Sequence, residues 1–180
     1  MKKTILFLAL VATTMCVWAQ KKTTTSAVIA FDASTVDNMP KAENKTAIAA
    51  IDTKTGSVQF EAAVSNFSFQ NPLMQQHFNN ASWLDSEKYP KFTFKGNIVD
   101  PAKVNFAKDG SYPVTVTGDL TVRDITKPIT TNGMIAVKSG VISISAEFSI
   151  KIADYGISNV SIEAGKVSRE PKIKVSAELN

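Results

Sequence analysis

Residues 141–152 read VISISAEFSIKI, and apolar and polar side chains take strict turns along them. Ile142, Ile144, Ala146, Phe148, Ile150 and Ile152 fall on one parity; Ser143, Ser145, Glu147, Ser149 and Lys151 fall on the other. Successive side chains of a strand point to opposite faces, so this stretch predicts a strand with one dry and one wet side.

The same period of two runs outward in both directions. GSVQFEAAV (56–64) aligns Val58, Phe60, Ala62 and Val64 away from Gln59 and Glu61. KFTFKGNI (91–98) groups Phe92, Phe94 and Ile98 opposite Lys91, Thr93 and Lys95. PVTVTGDLTVR (113–123) sets Val114, Val116, Leu120 and Val122 against Thr115, Thr117, Asp119 and Thr121. KIKVSAEL (172–179) closes with Ile173, Val175, Ala177 and Leu179 on one face. Two earlier strands are predicted at SAVIAFD (26–32) and KTAIAAID (45–52), with residues 20–25 as a frayed lead-in. Thr55-Gly56, Asp109-Gly110 and Ser139-Gly140 mark turns, and Pro101, Pro113 and Pro128 stand near strand edges. Seven to nine strands with one apolar face predict an all-β protein, an antiparallel barrel or sandwich. No repeat or linker interrupts the pattern, so a single domain over residues 20–180 is predicted.

The inward parity carries Val, Ile, Leu, Phe, Ala and Gly and almost no ionisable group. An eight-stranded barrel of this size is either filled by its own side chains or holds one ligand. The candidate lumen residues are Phe60, Val64, Phe92, Phe94, Val116, Leu120, Ile135, Ile144, Phe148 and Ile150. Gly96, Gly118 and Gly133 share that parity; relief of strain at barrel corners is the preferred reading, and space for a ligand the alternative.

At the other extreme of the chain, MKKTILFLALVATTMCVWAQ has Lys2 and Lys3 and then no charge until Lys21. That is the pattern of a secretory signal peptide over residues 1–19, cleaved before Gln20. A retained anchor is the rival, but the continuous apolar run is shorter than the roughly 20 residues a spanning helix needs. Met15 and Thr13 are poor neighbours for lipid attachment at Cys16. A periplasmic or secreted protein is thus expected, with no integral span in the mature chain. Cys16 is the single cysteine and leaves with the signal, which excludes disulfides and thiol chemistry. The mature chain keeps 18 of the 20 basic residues against 16 acidic ones, a net charge of +2, and scatters them, so no nucleic-acid footprint is present.

One stretch breaks the alternation. LMQQHFNNASWLDSEKYP (73–90) holds the only histidine and a bunching of large apolar residues. Pro72 suits the first position of a helix, and Leu73, Met74, His77 and Phe78 recur with helical spacing. Asn79-Asn80 then interrupts it, a second turn is predicted from Ser82, and Tyr89-Pro90 demands extended backbone. A helical excursion of this kind can cover a barrel mouth, with Leu73, Met74, His77, Phe78, Trp83, Leu84 and Tyr89 as lid or mouth residues. Catalysis by His77 with Asp85 or Glu87 is the competing reading. No second histidine, no G-x-S-x-G and no H-E-x-x-H accompany it, so no catalytic or metal site is expected. Four N-x-S/T triplets, at Asn44, Asn66, Asn80 and Asn159, would be glycan sites only in a eukaryotic secreted protein.

Three segments in order carry a resemblance: FQNPLMQQHFNNASWLDSEKYPKFTFKG (69–96), GDLTVRDITKPIT (118–130) and FSIKIADYGI (148–157). With them the chain resembles the YceI-like family of exported lipid- and polyisoprenoid-binding proteins. SAVIAFDAST (26–35) keeps the family's first strand and its Phe but lacks the preceding His. The resemblance implies an extended lipocalin-like antiparallel β-barrel with a short helical insertion at one end. It also implies a non-enzymatic lipid carrier, without a cofactor, that holds a polyisoprenoid, quinone or fatty-acyl chain. The ligand's polar head would lie near His77, Asn79, Asn80 or Arg123. The alternative function is a filled barrel whose exterior binds a protein partner; a homodimer is compatible with either.

Overall fold

The computed structural model describes residues 20–35 and 40–180, so the signal peptide predicted over residues 1–19 lies outside the described residues. Nine strands and two short helices follow one another as β1 (Lys21–Asp32), β2 (Lys41–Asp52), β3 (Ser57–Ala63), β4 (Ser68–Phe69), α1 (Pro72–Asn79), β5 (Lys91–Ile98), β6 (Gly110–Val122), β7 (Ile125–Lys138), β8 (Val141–Ser149), α2 (Val160–Glu163) and β9 (Lys172–Leu179). The sheet runs β1-β9-β8-β7-β6-β5-β3-β2, and β2 pairs back onto β1. Every one of these pairings is antiparallel, and the result is a closed eight-stranded barrel with β4 appended to β2. Closure pairs most of the strand edges, and the stretch 125–132 of β7 keeps a ladder on one side only.

The alternation read from the sequence sets which face turns inward. Ile142 lies opposite Leu179 and Ile144 opposite Ala177, so apolar parities meet across the β8–β9 ladder. The lead-in is a correction: Lys21–Thr24 are not frayed but pair with Asp52–Ala49, because the backbone of β2 offers a complete ladder there. Register shifts between Thr24 and Ala27, and between Ala27 and Ile29, then return Ala27, Ile29 and Phe31 to the core.

The glycines answer to close backbone approach. Gly96 lies opposite Gly118 across the β5–β6 ladder. A Cβ on Gly118 would stand 2.4 Å from both the Gly96 Cα and the Lys95 carbonyl oxygen, so no side chain fits between these strands. A Cβ on Gly96 would likewise collide with the Phe94 ring, which lies over that glycine. That Cβ would also stand 2.6 Å from the Thr117 carbonyl oxygen, so backbone contact bears on both glycines.

The connections differ sharply between the two barrel ends. At one end, residues 53–56, 99–109 and the Ser139-Gly140 turn join the strands. Ser139 and Gly140 both have positive φ, 51° and 83°, which suits a two-residue hairpin. At the other end lie the two long excursions, 64–90 and 150–171, each carrying a helix.

Candidate functional site

Inside the barrel, below the long excursions, lies a cavity of about 160 Å³. Among the described residues no ionisable side chain lines it; its polar groups are the Thr93 and Thr131 hydroxyls and the Trp83 indole N–H. Burial along the strands shows where it sits. On β8, Ile142 is fully buried while Ile144, Ala146 and Phe148 are only half-buried. On β7, Ile135 and Val137 are buried while Ile129 and Thr131 keep accessible surface. An inward residue that stays accessible borders free space, so the closed end is packed and the lid end is hollow.

Eight of the sequence candidates line this cavity: Phe60, Phe92, Phe94, Val116, Leu120, Ile144, Phe148 and Ile150. Val64 and Ile135 do not. Val64 is wholly buried in the short 3-10 turn Val64–Asn66, where its N–H donates to the Pro90 carbonyl. Ile135 is 1 % exposed; it stands opposite Ile144 of β8, one inward position from the buried Val137–Ile142 pair. Parity assigns a residue to the inside, but the level along the barrel axis decides whether space remains beside it. Residues not singled out also contribute: Ile29, Phe31, Ile129, Thr131, Ile152, Ile157, Ile173 and Val175. Ile152, Ile173 and Val175 had the right parity; Ile129 and Thr131 sit in a stretch where Lys127, Pro128 and Gly133 obscure the period.

The first excursion covers the hollow, with a different set of residues from the predicted one. Asn71 caps α1 by accepting a hydrogen bond from the Leu73 N–H, and Pro72 occupies the first turn. Of the apolar helical stripe only Phe78 is buried. Its ring packs 6.0 Å from Phe31, 5.7 Å from Phe67 and 5.0 Å from Phe69, pinning the helix to the barrel rim. Trp83 and Leu84 reach the cavity from the turn that follows. Leu73 is exposed, Met74 faces an external groove beside Phe69 and Asn71, and His77 is exposed. These three are corrections to the lid: the short helix is held at one residue, and its first turn projects into solvent. Tyr89 does not line the cavity either; its ring lies under the Arg123 guanidinium, 5.1 Å away, and its hydroxyl donates to Asp124 Oδ2 at 3.3 Å.

The second excursion was quoted in the sequence only as a motif, yet it supplies the other half of the cover. Ile152–Tyr155 form a 3-10 turn ended by Gly156 in the left-handed region. Ile152 and Ile157 line the cavity, while Tyr155, Ile162 and Val167 pack beneath the surface. Burial holds the Tyr155 hydroxyl above its ordinary titration range, and the nearby Asp154 carboxylate pushes it the same way.

Among the polar candidates, Asn79 donates from Nδ2 to the Gln75 carbonyl at 3.0 Å, and its Oδ1 is buried without a partner. Asn80 caps the helix end through its backbone, its N–H donating to the His77 carbonyl. Among the described residues no side-chain hydrogen bond or ion pair joins His77 to Asp85 or Glu87, and no three His, Cys, Asp or Glu side chains cluster as metal ligands would. Two of the N-x-S/T asparagines are built into the fold. Asn44 is fully buried, its amide donating to the Ala63 carbonyl, and Asn159 caps α2.

Comparison with known proteins agrees with this geometry. A polyisoprenoid binding domain from Saccharophagus degradans superposes with a TM-score of 0.75 at 14 % identity, covering 89 % of this chain and 98 % of that one. BcnA of Burkholderia cenocepacia does so at 0.70 and 17 % identity, covering 86 % and 96 %. These likenesses concern the fold. In sequence, protein YceI of Escherichia coli is 29 % identical over 109 residues, 57 % of this chain and 51 % of its own. The chain thus spans about half the length of the curated relatives it matches. The model of the YceI-like domain matches residues 14–179, and the chain belongs to that family.

Proposed function

We propose that this protein binds a long apolar molecule, a polyisoprenoid, quinone or fatty-acyl lipid, in the hollow half of its barrel, as an exported carrier without enzymatic activity. The observation that carries this reading is the cavity under two apolar covers with no ionisable group in its wall. A chain of CH₂ and CH₃ groups gains about 0.8 kcal/mol for each CH₂ moved from water into such a place. Recognition rests on length and shape, since few polar groups point inward. The name of the Saccharophagus degradans neighbour, a polyisoprenoid binding domain, supports the same ligand class. The filled-barrel alternative describes the closed end alone.

The test is organic extraction of the purified protein followed by mass spectrometry, paired with titration of cis-parinaric acid. Recovery of a stoichiometric apolar lipid, and competition between that lipid and the probe, is the expected outcome. Absence of any extractable lipid together with no probe binding overturns the proposal.

A further inference from the structure

The β6–β7 hairpin turns through Arg123 and Asp124 alone, since Val122 pairs with Ile125. Arg123 takes φ of +57°, a conformation that side chains other than glycine adopt at a cost of about 1–2 kcal/mol. A glycine would occupy this position without strain, so the arginine side chain is held there by its surroundings. Those surroundings are the two covers. Its guanidinium lies over the Tyr89 ring at the end of the first excursion, and Nη1 donates to the Gly156 carbonyl of the second at 3.3 Å. Its Nε is buried with no partner, so the group is sunk between these contacts rather than spread on the surface. Asp124 adds the hydrogen bond from the Tyr89 hydroxyl.

Both contacts lead directly to the cavity. Tyr89 N–H donates to the Asp85 carbonyl, in the turn that presents Trp83 and Leu84 inward. Gly156 ends the turn that presents Ile152, and its α-carbon packs so near Ile125 that an added Cβ would stand 3.3 Å from Ile125 Cδ1. Residues 125–132 of β7 pair with β6 only, and the second excursion rests beside that free stretch.

The geometry points to Arg123 as a latch that ties both covers to the β6–β7 hairpin and sets how often the cavity opens. It is a positioning residue: it closes the entrance and touches no ligand. The inference rests on the proposed lipid binding only for its consequence in exchange rate; the latch itself is a property of the chain.

The test compares Arg123→Gly, Arg123→Lys and Tyr89→Leu with the parent protein by amide hydrogen exchange and by the dissociation rate of cis-parinaric acid. Arg123→Gly relieves the φ strain while removing both contacts, so the thermal midpoint stays near that of the parent. Exchange at the amides of Leu84, Asp85, Ile152, Gly156 and Ile157 rises by about tenfold, the size expected for one cation–π contact and one hydrogen bond, and strand amides at the closed end do not change. Probe dissociation accelerates by a similar factor. Tyr89→Leu loosens the first cover more than the second, and Arg123→Lys, which keeps the charge but cannot span both contacts, falls between parent and glycine variant. Unchanged exchange in both covers overturns the latch, as does loosened exchange with unaltered probe dissociation. If the parent binds no probe, the lipid reading fails and the exchange data alone decide the latch.

Discussion

Within a single strand, β9, the two ends of the barrel part company. Ala177 and Leu179 are 5 % and 0 % exposed, whereas Ile173 and Val175, on the same face, border the cavity. The residues are alike in chemistry, and the difference comes from what stands opposite. Toward the closed end Ile51, Ile98, Ile135, Ile142 and Leu179 are buried in the apolar core, and Val104 from the 99–109 connection is buried with them. At the lid end two excursions span the barrel, and the inward side chains Ile144, Phe148, Ile173 and Val175 line the cavity. One barrel thus combines a solid half, which supplies stability, with a hollow half, where the proposed ligand would lie.

The largest effect expected from this contrast is at the solid end. Ile135→Ala leaves a cavity among residues that cannot collapse into it and costs about 2–5 kcal/mol in urea denaturation. A sharper comparison places one substitution at both ends. Val137→Phe overpacks the solid half and costs about 1–3 kcal/mol. Val116→Phe instead fills existing space, leaves the denaturation midpoint nearly unchanged and abolishes cis-parinaric acid binding. Equal destabilisation by the two would erase the distinction between the halves. Gly118→Ala tests the barrel corner: its Cβ would meet backbone that cannot turn aside, so a loss of about 1–3 kcal/mol is expected even though the residue added is the smallest available.

The smallest effect is one of pH, at the second cover. The Tyr155 phenol holds its proton more tightly in the folded chain than in the unfolded one. Its contribution is therefore complete below the ordinary tyrosine value of about 10, and is lost as pH rises from there toward the folded value. Tyr155→Phe should remove that part of the alkaline fall in thermal midpoint, and an unchanged alkaline profile would show that the hydroxyl is not held there by burial.

Lid residues separate what was legible in the sequence from what was not. The spacing of Leu73, Met74, His77 and Phe78 correctly marked a helix, yet only Phe78 is buried, because a two-turn helix touching a barrel rim has room for one anchor. The clustering of Trp83 and Leu84 with it pointed to the right segment. The second cover was hidden, since IADYGI (152–157) has neither strand nor helix period and is short enough to pass for a turn. Arg123 resembled a ligand contact until its carbonyl and aromatic partners were seen on two segments far apart in the chain.

By itself the sequence determined seven of the strands, their inward faces and an antiparallel barrel or sandwich, with a helix starting near Pro72. These follow from local rules (alternating polarity, turn residues, and the proline that starts α1), and the resemblance to the family chose the barrel. The tertiary structure alone decided which inward residues border space, that Val64 and Ile135 do not, and how the two covers are joined. Those facts depend on where distant strands bring their side chains along the barrel axis, and a period of two contains no information about that distance.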